Sequence, residues 1–280
     1  MSKKVWATGL ALALAVVTAA GAAQLRYRLV VGEALRYQST IAAEGSMTVE
    51  GPLGGQALPF TISAEETRSL KVVENVGEGR FWVESRCLKA KGGAKGVDGA
   101  TDANMPAVDY RMKMDHLGNV FEMEQMKAKD NNKGPEVDLN LGSLTALGQL
   151  TGFPAEDVAP GGTWDKEIPL KGKDGKVVKA KVHCKLISLN GDEAKIAVTY
   201  ETPIPVTEGR MRLAGMELPI RVEGKADGKS TTLWHMARGC LLRTEGTTNI
   251  EMKLDIGGLG GALPASARFL VASKTHLAEE

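Results

Sequence analysis

The stretch LRYQSTIAAEGSMTVE, from Leu35 to Glu50, decides the fold class. Its apolar side chains recur at alternate positions, with polar or charged side chains between them. A period of two is typical of a β-strand with one buried face, whereas a helix would need apolar residues three and four positions apart. The apolar face of this strand comprises Leu35, Tyr37, Ile41, Ala43, Met47 and Val49.

The same alternation returns along most of the chain. Apolar and polar residues alternate over 108–115, 181–186, 218–223 and 250–256. Turn signals such as Gly118-Asn119, Asn190-Gly191-Asp192 and Asp227-Gly228-Lys229 punctuate the segments. Strands with one apolar face are typical of antiparallel sheets. The sequence therefore predicts an all-β protein with one short helix, built from long antiparallel strands that form a curved sheet, a half-barrel or a sandwich.

Two charged residues interrupt the second predicted strand. This strand carries Leu58, Phe60, Ile62 and Ala64 on its apolar face, and Glu66 and Arg68 fall on the same register. We expect a bulge or a bend that takes them out of the core. A buried ion pair between them is the alternative interpretation.

The pattern also indicates an internal duplication. Each half opens with an alternating segment and closes with a hairpin that begins at a histidine, His116 in the first half and His235 in the second. The predicted boundaries are a signal peptide over 1–23, a first β repeat over 24–138, a short helical linker over 139–153, a second β repeat over 154–273 and a flexible tail over 274–280.

Leucines at helical spacing between Leu139 and Leu150 carry the helix prediction. Glycine-rich composition predicts a flexible loop from Gly92 to Asn104 and another from Gly257 to Gly261. A last short strand is expected over Arg268–Val271.

The N-terminus has the form of a secretory signal. Lys3 and Lys4 precede an uncharged segment from Val5 to Ala20, which is shorter than the ~20 residues that span a bilayer. Small residues allow cleavage near Ala22 or Ala23. We therefore expect an exported protein, periplasmic or secreted, that is soluble after cleavage; an uncleaved anchor is the alternative.

The charge balance argues against nucleic acid as a partner. Lys and Arg number 35 and Asp and Glu 34, for a net charge of +1. Removal of Lys3 and Lys4 with the signal brings this to −1 (+1 − 2). A chain this close to neutral has no field to attract polyanions, and aromatics at 5% offer few surfaces on which bases could stack.

Methionine is abundant for a β protein, with 11 residues. Met47, Met112, Met114 and Met252 fall on inward registers. Because methionine is flexible and polarisable, these residues could line an adaptable cavity for an apolar or lipid-like ligand. An ordinary core filled with methionine is the alternative interpretation.

Cysteine and histidine offer no local site. Cys87, Cys184 and Cys240 permit one disulfide at most, and a Cys184–Cys240 bridge would need the two strands to be neighbours. His183 and Cys184 are adjacent in a strand and face opposite ways, so they cannot share a metal. His116 and His235 could form equivalent sites, or they could be half-exposed hairpin residues.

No sequence motif favours an enzyme. The chain has no HExxH or CxxC spacing, no GxSxG elbow and no phosphate-binding glycine loop. We therefore expect no metal, no cofactor and no catalytic residues. A hydrolase whose site assembles from distant residues is a remaining alternative, and it would need a serine or aspartate beside His116 or His235.

Two short motifs carry a family resemblance. The segment from Gly152 to Trp164, GFPAEDVAPGGTW, and the segment from Tyr27 to Tyr37, YRLVVGEALRY, resemble the hallmarks of a group of uncharacterised exported bacterial proteins, many of them lipoproteins. The chain lacks their lipid-attachment cysteine. More remotely, its long strands resemble the half-barrels of periplasmic lipoprotein and lipid carriers. A likeness of fold alone does not establish function.

These observations predict a non-enzymatic protein of the cell envelope. It would be a binding or scaffold module that holds an apolar or lipid-like ligand in a concavity lined by methionine. The alternative is a structural protein that contacts another envelope component.

Overall fold

A computed structural model describes residues 21–50, 55–96, 99–101, 109–126, 152–171, 177–213, 216–258 and 261–278. Within these ranges the protein is all-β, as predicted. The strands are β1 (Ala34–Val49), β2 (Gln56–Gly77), β3 (Arg80–Gly96), β4 (Gly99–Thr101), β5 (Tyr110–Asp115), β6 (Val120–Gln125), β7 (Thr163–Lys171), β8 (Val177–Asn190), β9 (Glu193–Leu213), β10 (Met216–His235), β11 (Cys240–Gly258) and β12 (Gly261–Leu277).

The strands form one sheet in which every pairing is antiparallel. Its order is β6-β5-β3-β2-β1-β12-β11-β10-β9-β8-β7, and β4 pairs with β3 off this path. The first half of the chain thus supplies one side of the sheet and the second half the other. The two sides join where β1 pairs with β12, so the inner face is continuous across them.

Two of the three predicted turns are confirmed, whereas the turn at Asp227-Gly228-Lys229 is wrong, because these residues lie inside β10 and pair with β9 and β11. Gly118 turns the chain between β5 and β6, and Gly191 between β8 and β9, both with positive φ (75° and 57°). Glycine adopts this conformation without the steric cost that a Cβ atom would bring. The local sequence therefore favours a hairpin at each of these two positions.

Two further predictions give the strands too short an extent. Within the expected loop from Gly92 to Asn104, residues 92–96 continue β3 and residues 99–101 form β4, which pairs back on it. The expected short strand Arg268–Val271 is part of the 17-residue β12, which runs on to Leu277 inside the predicted tail. In both places a neighbouring strand supplies hydrogen bonds that composition alone does not reveal.

One end of the sheet is closed by the segment before β1. In that segment the amide of Tyr27 donates to the carbonyl of His116 (2.7 Å), and the amide of Arg28 donates to the carbonyl of Gly239 (3.0 Å). The segment therefore links the β5–β6 turn to the β10–β11 turn. The sheet edges also meet here, because Lys166 Nζ on β7 donates to Asn119 Oδ1 (3.1 Å) beside β6. The sheet is nearly closed at this end.

Aromatic rings fill the closed end. Trp234 is fully buried between Tyr27 and Phe153, with ring centroids 4.7 Å and 4.8 Å away. The indole of Trp164 donates to the carbonyl of Gly152 (2.6 Å). The core continues from these rings along the inner face of the sheet.

Three predictions fall wholly or largely on residues outside the described ranges. These are the signal peptide, the helix from Leu139 to Leu150 and the linker around it. Nothing tests the two repeats, so they stay a prediction. Within the described ranges, no helix is long and apolar enough to cross a membrane.

Candidate functional site

The candidate site is a row of apolar side chains toward the end of the sheet away from the aromatic rings. Here a row means residues paired side by side across neighbouring strands. The apolar row crosses six strands, from β2 through β1, β12, β11 and β10 to β9, and consists of Leu58, Met47, Ala267, Met252, Gly224 and Ile204.

Small and flexible residues alternate in the apolar row. Ala267 is paired with Met47 on one side and Met252 on the other, and Gly224 lies between Met252 and Ile204. Two small residues therefore form a low floor between longer side chains. Unbranched methionine side chains can rearrange over such a floor and fit different apolar shapes.

Exposure rises from the middle of the apolar row to its ends. Ala267 and Met252 are buried, while Met47, Ile204 and Leu58 are only partly buried. Farther along the same strands, Ile256 and Ile220 are buried, while Val49 and Leu218 at their sides are partly buried and Leu263 is 44% exposed. These residues form an apolar mouth, in contrast to the closed end, where Trp234 and Phe153 are fully buried.

The structure divides the four predicted methionines into two groups. Met47 and Met252 belong to the apolar row. Met112 and Met114 lie on β5, paired with Val83 and Phe81 of β3, and are buried near the closed end. The expectation of one concavity lined by all four is therefore corrected. The separation arises because β5 pairs with the closed-end portion of β3, more than ~30 Å along the strands from Met47.

A polar belt crosses the inner face between the apolar row and the closed end. It consists of three hydroxyl pairs: Ser39 with Thr275 (2.8 Å), Thr232 with Thr244 (3.1 Å), and Tyr200 with Thr248. Beside it lies a cavity of about 10 Å³, lined by Tyr200, Ser230, Thr244, Thr248 and Ser273. That volume suits a single water molecule. The belt satisfies its own hydrogen bonds and separates two apolar regions.

The charged residues of β2 lie on the inner face and pair there. Arg68 forms an ion pair with Glu66 and donates to Ser85 Oγ (3.1 Å). A bulge also shifts the register between Thr67 and Arg68. The predicted bulge is present, but the expectation that it takes Glu66 and Arg68 out of the core is wrong, because their side chains stay inward as a partly buried ion pair, the alternative interpretation. We call Glu66, Arg68, Ser85 and Cys87 the inner charged cluster.

The three cysteines are free thiols. Cys184 lies on β8 and Cys240 at the start of β11, with β9 and β10 between them, so the neighbouring strands that the Cys184–Cys240 disulfide required are not present. Burial and the charge of Asp165 raise the pKa of the Cys184 thiol to about 12. Burial and the adjacent Glu66 raise the pKa of the Cys87 thiol to about 11. These thiols are poor nucleophiles.

The hairpin histidines have structural contacts. His116 Nδ1 is hydrogen-bonded to the carbonyl of Tyr27 (2.9 Å), and its ring packs against Phe81 at 4.9 Å. His235 Nδ1 accepts from the amide of Arg238 (3.3 Å). Within the described residues, neither imidazole is bonded to a serine or aspartate side chain, and no cluster of His, Cys, Asp or Glu could hold a metal.

A groove lies on the outer face, and most of the residues that line it are polar or charged. This groove of about 630 Å³ crosses β7 to β11. His183 and Asp165 form an ion pair in it (2.7 Å), and Asn249 donates to Asp227 (3.0 Å). Acidic, basic and hydroxyl side chains alternate along its paired rows, so the groove presents no single charge to a partner.

Comparisons with known proteins identify a remote likeness of fold only. No family model and no curated protein matches the chain. A solved structure concerned with lipid–protein interactions in lipovitellin overlaps 90% of this chain at 10% identity and a TM-score of 0.46, and the chain spans only 26% of its length. An outer membrane channel from Pseudomonas putida F1 overlaps 90% of this chain and 97% of its own, at 7% identity and a TM-score of 0.26.

Sequence reasoning missed part of the site. Leu58 was placed on an apolar face but not beside Met47, and Ile204 was not singled out, because these positions depend on how distant strands align. It also missed the closing role of the segment before β1, although the alternation of Leu25, Tyr27 and Leu29 signals a half-buried extended segment.

Proposed function

We propose that this chain is an exported, non-enzymatic binding protein that holds an apolar or lipid-like ligand against the apolar row. The observation that carries the proposal is the contrast between the two ends of one inner face. Aromatic rings close one end, while apolar side chains at the other end remain partly exposed. Contiguous exposed apolar surface commonly marks an interaction site.

The methionines of the apolar row support an adaptable ligand. Met47 and Met252 lie on either side of Ala267, so movement of their side chains would open space over a small residue. Export rests on the N-terminal sequence, where two lysines precede a short apolar run.

A binding role is favoured over a purely structural one by where the outer apolar residues lie. Leu88 on β3, Ile187 on β8 and Leu270 on β12 are exposed, but these strands are not neighbours in the sheet. Singly scattered surface apolar residues are normal and need no partner. The apolar mouth, in contrast, gathers its residues at one end.

Uptake of the neutral dye Nile red, with native mass spectrometry of mildly purified protein, tests the proposal. Met47→Glu places a charge in the apolar row and should abolish dye uptake. Thr48→Glu is the matched control, because the next side chain on β1 points to the other face and should leave uptake unchanged. Wild-type protein that carries no lipid and takes up no dye would show the proposal to be wrong.

A further inference from the structure

The inner charged cluster lies at the inner end of an apolar track. On β2 the track consists of Leu58, Phe60, Ile62 and Ala64, and Glu66 and Arg68 follow at the next inward positions. At ~3.3 Å per residue, the track from Leu58 to Ala64 is ~20 Å long. One leaflet of a bilayer's hydrocarbon core is ~15 Å thick, so the track has the length of an extended acyl chain.

The chemistry at the end of the track is that of carboxylate binding. Arg68 already holds the carboxylate of Glu66, and Ser85 accepts a further hydrogen bond from the guanidinium. The Tyr110 ring packs against the same group, with Arg68 Cζ 5.8 Å from the ring centroid. Guanidinium groups bind carboxylates through paired, charge-assisted hydrogen bonds.

Arg68 remains within reach of a ligand. Its side chain is 21% exposed and that of Glu66 is 22% exposed, so neither is sealed in the core. A carboxylate that arrives along the track would meet the same geometry that Glu66 now uses.

Building on the proposed function, we infer that the ligand is an acyl amphiphile with a terminal carboxylate. Its hydrocarbon chain lies along the β1–β2 track, and its carboxylate replaces Glu66 on Arg68. The inner charged cluster therefore selects the head group, while the track accepts the chain, whose far end reaches the apolar row at Leu58 and Met47.

Binding of hexadecanoate and of its methyl ester, measured by isothermal titration calorimetry, tests this inference. Wild-type protein should bind the carboxylate about tenfold or more tightly than the ester, as expected for a charge-assisted hydrogen bond. Arg68→Met should remove this preference and leave ester binding unchanged. Arg86→Met is the control, because Arg86 pairs with Glu84 on the exposed face of β3.

A second variant covers the case in which Arg68→Met fails to fold. Glu66→Gln removes the competing carboxylate and should strengthen hexadecanoate binding about tenfold without a comparable effect on the ester. Equal affinities for both probes, with dye uptake intact, would overturn this inference and leave the proposed function standing. If the protein binds neither Nile red, nor hexadecanoate, nor the methyl ester, both this inference and the proposed function are wrong.

Discussion

Two buried tryptophans differ in one hydrogen bond, and this difference makes a sharp test of the closed end. The Trp164 indole donates to the Gly152 carbonyl at 2.6 Å. The Trp234 indole nitrogen is buried and has no hydrogen-bond partner among the described residues. We therefore compare Trp164→Phe with Trp234→Phe, because both replace the same ring with a smaller one.

The expected magnitudes follow from these contacts. Each change loses the same indole atoms, worth about 2 kcal/mol at ~0.8 kcal/mol per methylene-sized group. Trp164→Phe also leaves the Gly152 carbonyl buried without its donor, which costs about 1–3 kcal/mol more. Trp234→Phe instead removes an unpaired buried N–H group and regains about 1–3 kcal/mol. Trp164→Phe should thus be less stable than Trp234→Phe by about 2–6 kcal/mol.

Urea unfolding followed by far-ultraviolet circular dichroism measures this difference without relying on tryptophan fluorescence. At an m-value of about 3 kcal/mol/M, the two midpoints should differ by about 0.7–2 M. The comparison requires equal m-values for both variants, so that a shift in midpoint reports stability alone. Equal midpoints, or a less stable Trp234→Phe variant, would refute the reasoning.

Two further predictions concern buried polar groups. Tyr200→Phe leaves the buried Thr248 hydroxyl without its partner, so the free energy of unfolding should fall by about 1–2 kcal/mol; an unchanged urea midpoint would contradict this. Because burial raises the pKa of Cys184 to about 12 and that of Cys87 to about 11, iodoacetamide at pH 8 should leave both unmodified in folded protein, as read by mass spectrometry. The stability that the two protonated thiols contribute should be complete below pH 9, near the pKa of an unfolded thiol, and should fall as the pH rises toward 11–12. Rapid alkylation of either thiol in folded protein would disprove the burial.

The predictability of the fold differs from place to place for physical reasons. Alternation in Leu35–Glu50 is a local property, and β1 follows it from Ala34 to Val49. The glycine-rich residues 92–96 read as a loop because their composition favours flexibility, yet they pair in β3. Glu66 and Arg68 fall on an inward register in the sequence, but that they stay inward as an ion pair depends on side-chain geometry.

The candidate site could be predicted only in part. Met47 and Met252 were found because inward registers are read from alternation. Met112 and Met114 were grouped with them wrongly, because alternation says which face a residue occupies but not how far along the sheet it lies. The prediction of a Cys184–Cys240 disulfide was wrong for the same reason, since two strands separate β8 from β11.

The sequence by itself determined the all-β class, the hairpin turns at Gly118 and Gly191, and the choice of inner and outer faces, because these depend on contacts between residues close along the chain. Only the tertiary structure decided which strands are neighbours, that β1 joins β12, and that Lys166 reaches Asn119 to bring the edges together. It also decided that the inner face keeps partly exposed apolar side chains at one end of the sheet and is closed by aromatic rings at the other end. These features depend on pairings between residues distant in the chain, whose register is set by the packing of the whole inner face.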